Sequence, residues 1–103
     1  MMGGGSMHAR VTIGQGKPGS ADAAIRIYRD SVVPACQAQV GFRGLYYLVD
    51  REPMRSITIS LWATADDMKA AEASGFYQAQ VAKFKDILAA VPVREEYEVA
   101  VVP

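Results

Sequence analysis

The sequence has one cysteine, Cys36, one histidine, His8, and one tryptophan, Trp62. A single cysteine excludes an internal disulfide and any multi-cysteine metal site. Neither charge sign dominates: 11 Lys and Arg balance 11 Asp and Glu. Nucleic-acid binders usually carry a basic excess or stripe, so no nucleic-acid partner is expected. No apolar run approaches the roughly 20 residues that span a bilayer, and no charged start with an apolar stretch suggests a secretory leader. No membrane partner is expected, and the default location is cytoplasmic. A glycine-rich phosphate loop is missing too, because Gly14-Gln15-Gly16 is too short to make one. No nucleophile–base pair is recognisable.

What is present fits one small domain. Half of the 103 residues are hydrophobic, so a core can form. At this size only about two-thirds of the unfolded chain's surface can be buried, and pairing with a second copy would bury more. Residues 1–6, MMGGGS, have no packing logic and read as an appended leader or linker. The domain is expected to span 7–103.

The central stretch runs from Ile57 to Val91. Ile57, Ile59 and Leu61 alternate with Thr58 and Ser60 as a strand ending just after Trp62. Thr64 with Asp67 three residues on resembles a capping box. A short helix should follow and break at Ser74-Gly75. A longer one should run to about Val91, with Tyr77, Val81, Phe84, Leu88 and Val91 on one face.

Earlier in the chain, Met7–Gly16 alternates as a first strand, and Lys17-Pro18-Gly19 is a turn. Ser20 should cap a helix whose stripe is Ile25, Tyr28, Val32, Cys36 and Val40. Pro34 should kink that helix and Gly41 stop it. Phe42–Arg51 is the second strand and Arg55–Ala63 the third, joined by a hairpin loop at Asp50–Met54. Arg94–Val102 closes the set after Pro92.

The order β-α-β-β-α-β predicts an α+β, ferredoxin-like fold with an antiparallel sheet. Its helix-covered face is expected to carry Val11, Ile13, Ile57, Ile59 and Leu61, together with Leu45, Tyr47 and Val49 and with Tyr97, Val99 and Val101. The opposite face would carry Arg10, Thr12, Phe42, Tyr46, Leu48 and Ser60, with Trp62, Ala100 and Val102. That second face is too apolar for water and too mixed for a dry core, so a second sheet should meet it.

Lys17-Pro18-Gly19, Pro34, Gly41-Phe42-Arg43-Gly44 and Ser60-Leu61-Trp62-Ala63-Thr64 resemble the antibiotic biosynthesis monooxygenase family of the dimeric α/β-barrel superfamily. The resemblance covers nearly the whole domain. It implies a homodimer with two facing four-stranded sheets, which matches the mixed second face. Some members of that family oxidise aromatic polyketides without a cofactor. Others degrade haem with an Asn on strand one, a Trp and a His. Here the Trp and His positions fall near Ala71 and Val81, and the chain has no Asn. The resemblance therefore implies a cofactor-free oxygenase of a small phenolic or enolic aromatic compound, with no cofactor and no metal.

Such chemistry needs an apolar cavity, a hydrogen-bond partner or base, and a donor to hold the substrate anion. The candidates are Tyr77 for hydrogen bonding, Trp62 for aromatic packing and Arg43 for anion stabilisation. Tyr28, Tyr47, Val81 and Phe84 are expected to bound the pocket with Tyr77. Each has a structural alternative. Trp62 suits an interface or core, and Tyr77 an ordinary core position. His8 suits an exposed terminus, and Arg10 and Arg43 suit rim charges. Cys36 reads as a small buried hydrophobe. Asp66-Asp67 complements a helix dipole, and Glu95, Glu96 and Glu98 read as surface carboxylates. The alternative function is a non-catalytic dimeric binding or accessory domain of the same fold, with an isomerase or decarboxylase as a third reading.

Overall fold

The computed structural model describes residues 6–103; the leader assigned to 1–6 lies almost wholly outside them. Strand β1 (His8–Gln15) leads through the Lys17-Pro18-Gly19 turn to helix α1 (Ala21–Ile27). Strands β2 (Phe42–Asp50) and β3 (Arg55–Trp62) form a hairpin. Helices α3 (Ala65–Ala73) and α4 (Phe76–Ala82) precede the last strand, β4 (Val93–Glu98). Helix α2 (Val33–Gln37) continues α1 through a π turn at Tyr28–Val32. The sheet order is β2-β3-β1-β4 and every neighbour is antiparallel. This is the expected α+β, ferredoxin-like arrangement.

Local signals explain several boundaries. Thr64 is extended at φ −144° and its hydroxyl accepts from Asp67 N–H at 3.0 Å. Such a cap satisfies one of the N–H groups that a helix start leaves without a partner. Gly75 at φ +87° separates α3 from α4, in the left-handed region that glycine enters without a Cβ clash. Ser20 precedes α1 but does not cap it with its side chain; its hydroxyl donates to Lys17 O at 2.7 Å.

Pro34 shapes the first helical region differently from a simple kink. It lies in the first turn of α2, behind the π turn in which Val33 N–H reaches Tyr28 O. The wider turn takes up the missing N–H and the ring's bulk without ending the helix. The buried stripe is therefore Ala21, Ala24, Val32 and Cys36, with Ile25 and Tyr28 half-buried and Val40 81% exposed.

The helix expected to reach Val91 stops at Ala82. The chain turns through residues 83–87, and Leu88 bridges to Gly16. Lys17 N–H donates to Ile87 O at 2.7 Å and Ala89 N–H to Gln15 O at 2.8 Å. Those bonds between distant segments need extended backbone, so the tertiary contact overrides the helical spacing. Val91 is exposed. Strand β4 is also shorter than expected, because its partner β1 begins at His8, opposite Glu98.

The main correction concerns the sheet faces. Register sets Thr12 beside Thr58, and Thr58 beside Tyr47. Tyr28, from the helical layer, bonds to Thr58 and stacks on Tyr47. The helices therefore cover Arg10, Thr12, Ser56, Thr58, Ser60 and Trp62, and from β2 the expected Leu45, Tyr47 and Val49. Alternation puts Val11, Ile13, Ile57, Ile59, Leu61 and Tyr97 on the open face, with Tyr46 and Leu48. Ile13, Tyr46, Leu48, Ile57 and Tyr97 are exposed there. Val99 and Val101 lie beyond the end of β4, where no helix-facing strand position exists. The physical reason is phase. Leu45, Tyr47 and Val49 pair with Ser60, Thr58 and Ser56, not with the isoleucines, and an irregularity between Phe42 and Gly44 turns Phe42 to the helix side.

Two clusters hold the layers together. Ala21, Ala24, Val32, Cys36, Met54 and Phe84 pack under the first helical region. Trp62, Met68 and Ala71 pack under α3, with the Phe42 ring edge-on to Trp62 at 5.6 Å. Met68 is 1% exposed, and burying such a side chain contributes about 1.5–3 kcal/mol.

Candidate active site

Between the covered sheet face and the helices lies a cavity with about 100 Å³ of water-occupiable space. One water needs only about 10–15 Å³ by the same measure, so the space suits a small molecule. Its floor is made by the central strands β1 and β3. Arg10 lies opposite Ser60, Thr12 opposite Thr58 and Gly14 opposite Ser56, and all six line the cavity.

One end is aromatic and neutral. Tyr28 stacks on Tyr47 at 4.1 Å and 25°, and meets Phe84 at 4.8 Å. The Tyr28 hydroxyl and Thr58 Oγ1 are hydrogen-bonded at 2.6 Å. Burial pushes the Tyr28 phenol up to about 12, and the Thr58 bond only partly opposes it. Burial also raises Tyr47, against the opposing bond to Ser56. Cys36, in the same wall, is pushed up to about 11 by burial. These groups are protonated at neutral pH, so this end offers hydrogen bonds and ring faces, not charge.

The other end is charged. Arg10 Nη2 donates to Glu72 Oε1, and Arg94 Nη1 donates to Glu72 Oε2 at 2.7 Å. The Arg94 guanidinium lies 4.7 Å from the centre of the Tyr77 ring, a cation–π contact. Arg10 and Glu72 both line the cavity. Beyond Ser60 on β3, at the Arg10 side of the cavity, stands Trp62, 4% exposed, its indole N–H donating to Ser60 Oγ at 3.0 Å.

The structure brings Tyr28, Tyr47, Trp62, Tyr77, Val81 and Phe84 together around this space. Trp62 therefore lies on the covered side, although strict alternation with the expected faces put it on the open one. Arg43 is not in the lining; it is exposed at the irregular start of β2. The cation of the cavity is Arg10, read from sequence as a rim charge. His8 is half-buried and its Nδ1 has no hydrogen-bond partner among the described residues. Glu95, Glu96 and Glu98 are exposed on β4, and among the described residues no cluster of His, Cys, Asp or Glu could hold a metal.

Sequence reasoning missed Arg10 and Glu72 as a pair. A signal existed for Arg10: polar residues occupy one face of both central strands, where a fully packed sheet would be apolar. Nothing local marks Glu72, which is 62 positions away from Arg10.

No family model matches the chain. Among sequence relatives, an uncharacterized protein of Mycobacterium tuberculosis is 35% identical over 98 residues, 91% of this chain and 41% of the relative. A second from the same organism is 40% identical over 67 residues, 65% of this chain and 28% of the relative. The chain thus spans less than half the length of the curated relatives it matches. Solved structures align over nearly the whole chain. A candidate antibiotic biosynthesis monooxygenase from Nitrosomonas europaea has a TM-score of 0.75 at 16% identity, over 97% of this chain and 96% of that one. SnoaB, a cofactor-independent oxygenase from Streptomyces nogalater, has a TM-score of 0.73 at 15% identity, over 94% and 96%. A protein of unknown function from Nitrosomonas europaea has a TM-score of 0.72 at 22% identity, over 98% and 96%. The chain has the fold of the antibiotic biosynthesis monooxygenases.

Proposed function

We propose that this chain is an antibiotic biosynthesis monooxygenase family member that binds a small phenolic or enolic aromatic compound and oxygenates it without a cofactor. The observation that carries the reading is the two-ended cavity. Aromatic rings and neutral hydroxyls line one end, and a guanidinium–carboxylate cluster lines the other. The fold shared with a cofactor-independent oxygenase supports it. In such a reaction the substrate anion gives an electron to O₂, the two radicals combine into a peroxide at carbon, and loss of water leaves a carbonyl. The protein's part is to exclude water, place the ring and hold the anion. Tyr28 and Tyr47 would pack the ring, Trp62 and Tyr77 would bound it, and Thr58 and Ser60 would offer hydroxyls.

A homodimer through the open sheet face belongs to the same reading. An antiparallel sheet with one free face normally turns polar residues to water. Here Ile13, Tyr46, Leu48, Ile57, Val93 and Tyr97 are exposed on it.

The test is oxygen uptake by metal-stripped protein with a panel of anthrones and hydroquinones. Turnover without added flavin or iron is the expected result; turnover that requires either would refute the cofactor-free mechanism. Tight binding with no turnover would favour the alternative, a non-catalytic binding or accessory domain.

A further inference from the structure

Arg10 rises from the middle of β1 into the covered layer, and its side chain is only 11% exposed. Its Nη2 is engaged by Glu72, and more weakly by Glu96 at 3.4 Å. Its Nε is buried and has no acceptor among the described residues. A buried N–H on a charged group is costly to leave unmatched.

Two guanidiniums, Arg10 and Arg94, share the single carboxylate of Glu72, which is 18% exposed. Glu96 is 47% exposed, and its contact lies at the outer limit of a hydrogen bond, so water screens it. Arg94 is itself 42% exposed, so water screens it as it screens Glu96, and the buried part of the cluster is the Arg10–Glu72 pair. Glu72 ties down one edge of the Arg10 fork and leaves the Nε donor unused.

The geometry points to Arg10 as the seat of a ring-borne oxyanion on the ligand, with Glu72 as the residue that positions the guanidinium and tempers its charge. The assignment rests on the reading of the cavity as an aromatic site. It names the feature that site selects: an aromatic compound whose anionic oxygen lies at the β1 end while its ring lies toward Tyr28 and Tyr47. A lysine would not replace Arg10, because a point charge lacks the second donor edge.

Calorimetric titration with 2-naphthoate and with its neutral methyl ester tests this. The wild-type chain should bind the anion at least about tenfold more tightly than the ester, the scale of one charge-assisted hydrogen bond. Arg10→Gln should abolish that preference, and a cooperative urea-unfolding transition reports that the variant is folded. Glu72→Gln should move the other way, tightening the anion severalfold, an outcome that a purely structural ion pair would not produce. Equal affinities in the wild type overturn the assignment, and so does a preference that neither variant alters. If Arg10→Gln fails to fold, Glu72→Gln decides, and an anion affinity that does not rise in it overturns the assignment. Binding of both compounds without preference overturns the oxyanion seat alone. Binding of neither overturns the aromatic-cavity reading and the seat together.

Discussion

The two faces of the sheet come from the same strands and differ in a way that hydrophobicity alone misreads. The open face carries Ile13, Ile57, Tyr46 and Leu48, all exposed. The covered face carries Arg10, Thr12, Thr58 and Ser60 on the two central strands. In a domain with one buried face the apolar side lies inward. Here the helices bring their own apolar residues, such as Val32, Met68 and Phe84, and close over a partly polar floor. Space is left above it because threonine, serine and glycine are small. A polar row under helices marks a cavity here, and the apolar row in the open is the face on which the proposed second copy would sit.

The largest expected contrast between the faces is in stability. Trp62→Ala, on the covered face, should cost about 3–5 kcal/mol in urea unfolding, the range for emptying a large aromatic site. Leu48→Ala, 50% exposed on the other face, should cost under about 1 kcal/mol at concentrations where the chain is monomeric. Similar losses at both sites under those conditions would break the distinction.

Assembly sharpens the contrast from the open side. The wild-type chain should sediment at micromolar concentration at twice its 11.1 kDa mass. Tyr46→Glu with Leu48→Glu should return it to the single-chain mass, because unpaired charges would be buried at the interface. A wild-type chain that sediments only as the single species would remove the proposed partner from the open face.

Alkaline pH probes one tyrosine on each face. Burial raises Tyr28 to about 12, whereas Tyr97 is raised first by the hydrogen bond it donates to Glu95 at 2.9 Å. The folded state holds the Tyr28 proton more tightly than the unfolded state, whose phenol titrates near 10. Its contribution is therefore fully present below pH 10 and is lost as pH rises through about 12. The loss is at most about 2–3 kcal/mol, and Tyr28→Phe should flatten that part of the stability profile. Glu95→Gln should lower the Tyr97 titration in ultraviolet difference spectra and leave Tyr28 where it was. A Tyr28 titration that moved with Glu95 would mean the covered face is wet.

The smallest expected effect is at the helix that roofs Trp62. Thr64→Ala should cost about 1 kcal/mol by thermal or urea unfolding, through the lost cap to Asp67 N–H. It should leave ligand binding intact, because Thr64 is outside the cavity lining.

Element order and type were legible in the sequence because their signals are local. Alternation marks β1, β2 and β3, the Thr64–Asp67 spacing marks the start of α3, and Gly75 marks its end. Part of the cavity wall was legible too, since Tyr77, Val81 and Phe84 share a helical spacing and all three line the space, although α4 ends before Phe84. What only the tertiary structure decided is relational. Alternation says that a strand has two unlike faces, but not which one the helices cover. That depends on the register of β2 against β3 and on the irregularity between Phe42 and Gly44, where one residue of slip reverses every side chain. The charged end depends on Arg10 meeting a carboxylate 62 positions away, and the end of α4 on Ile87 and Ala89 pairing with Lys17 and Gln15. Contacts between distant segments leave no periodic trace in either segment, because each is selected by what the fold lays beside it.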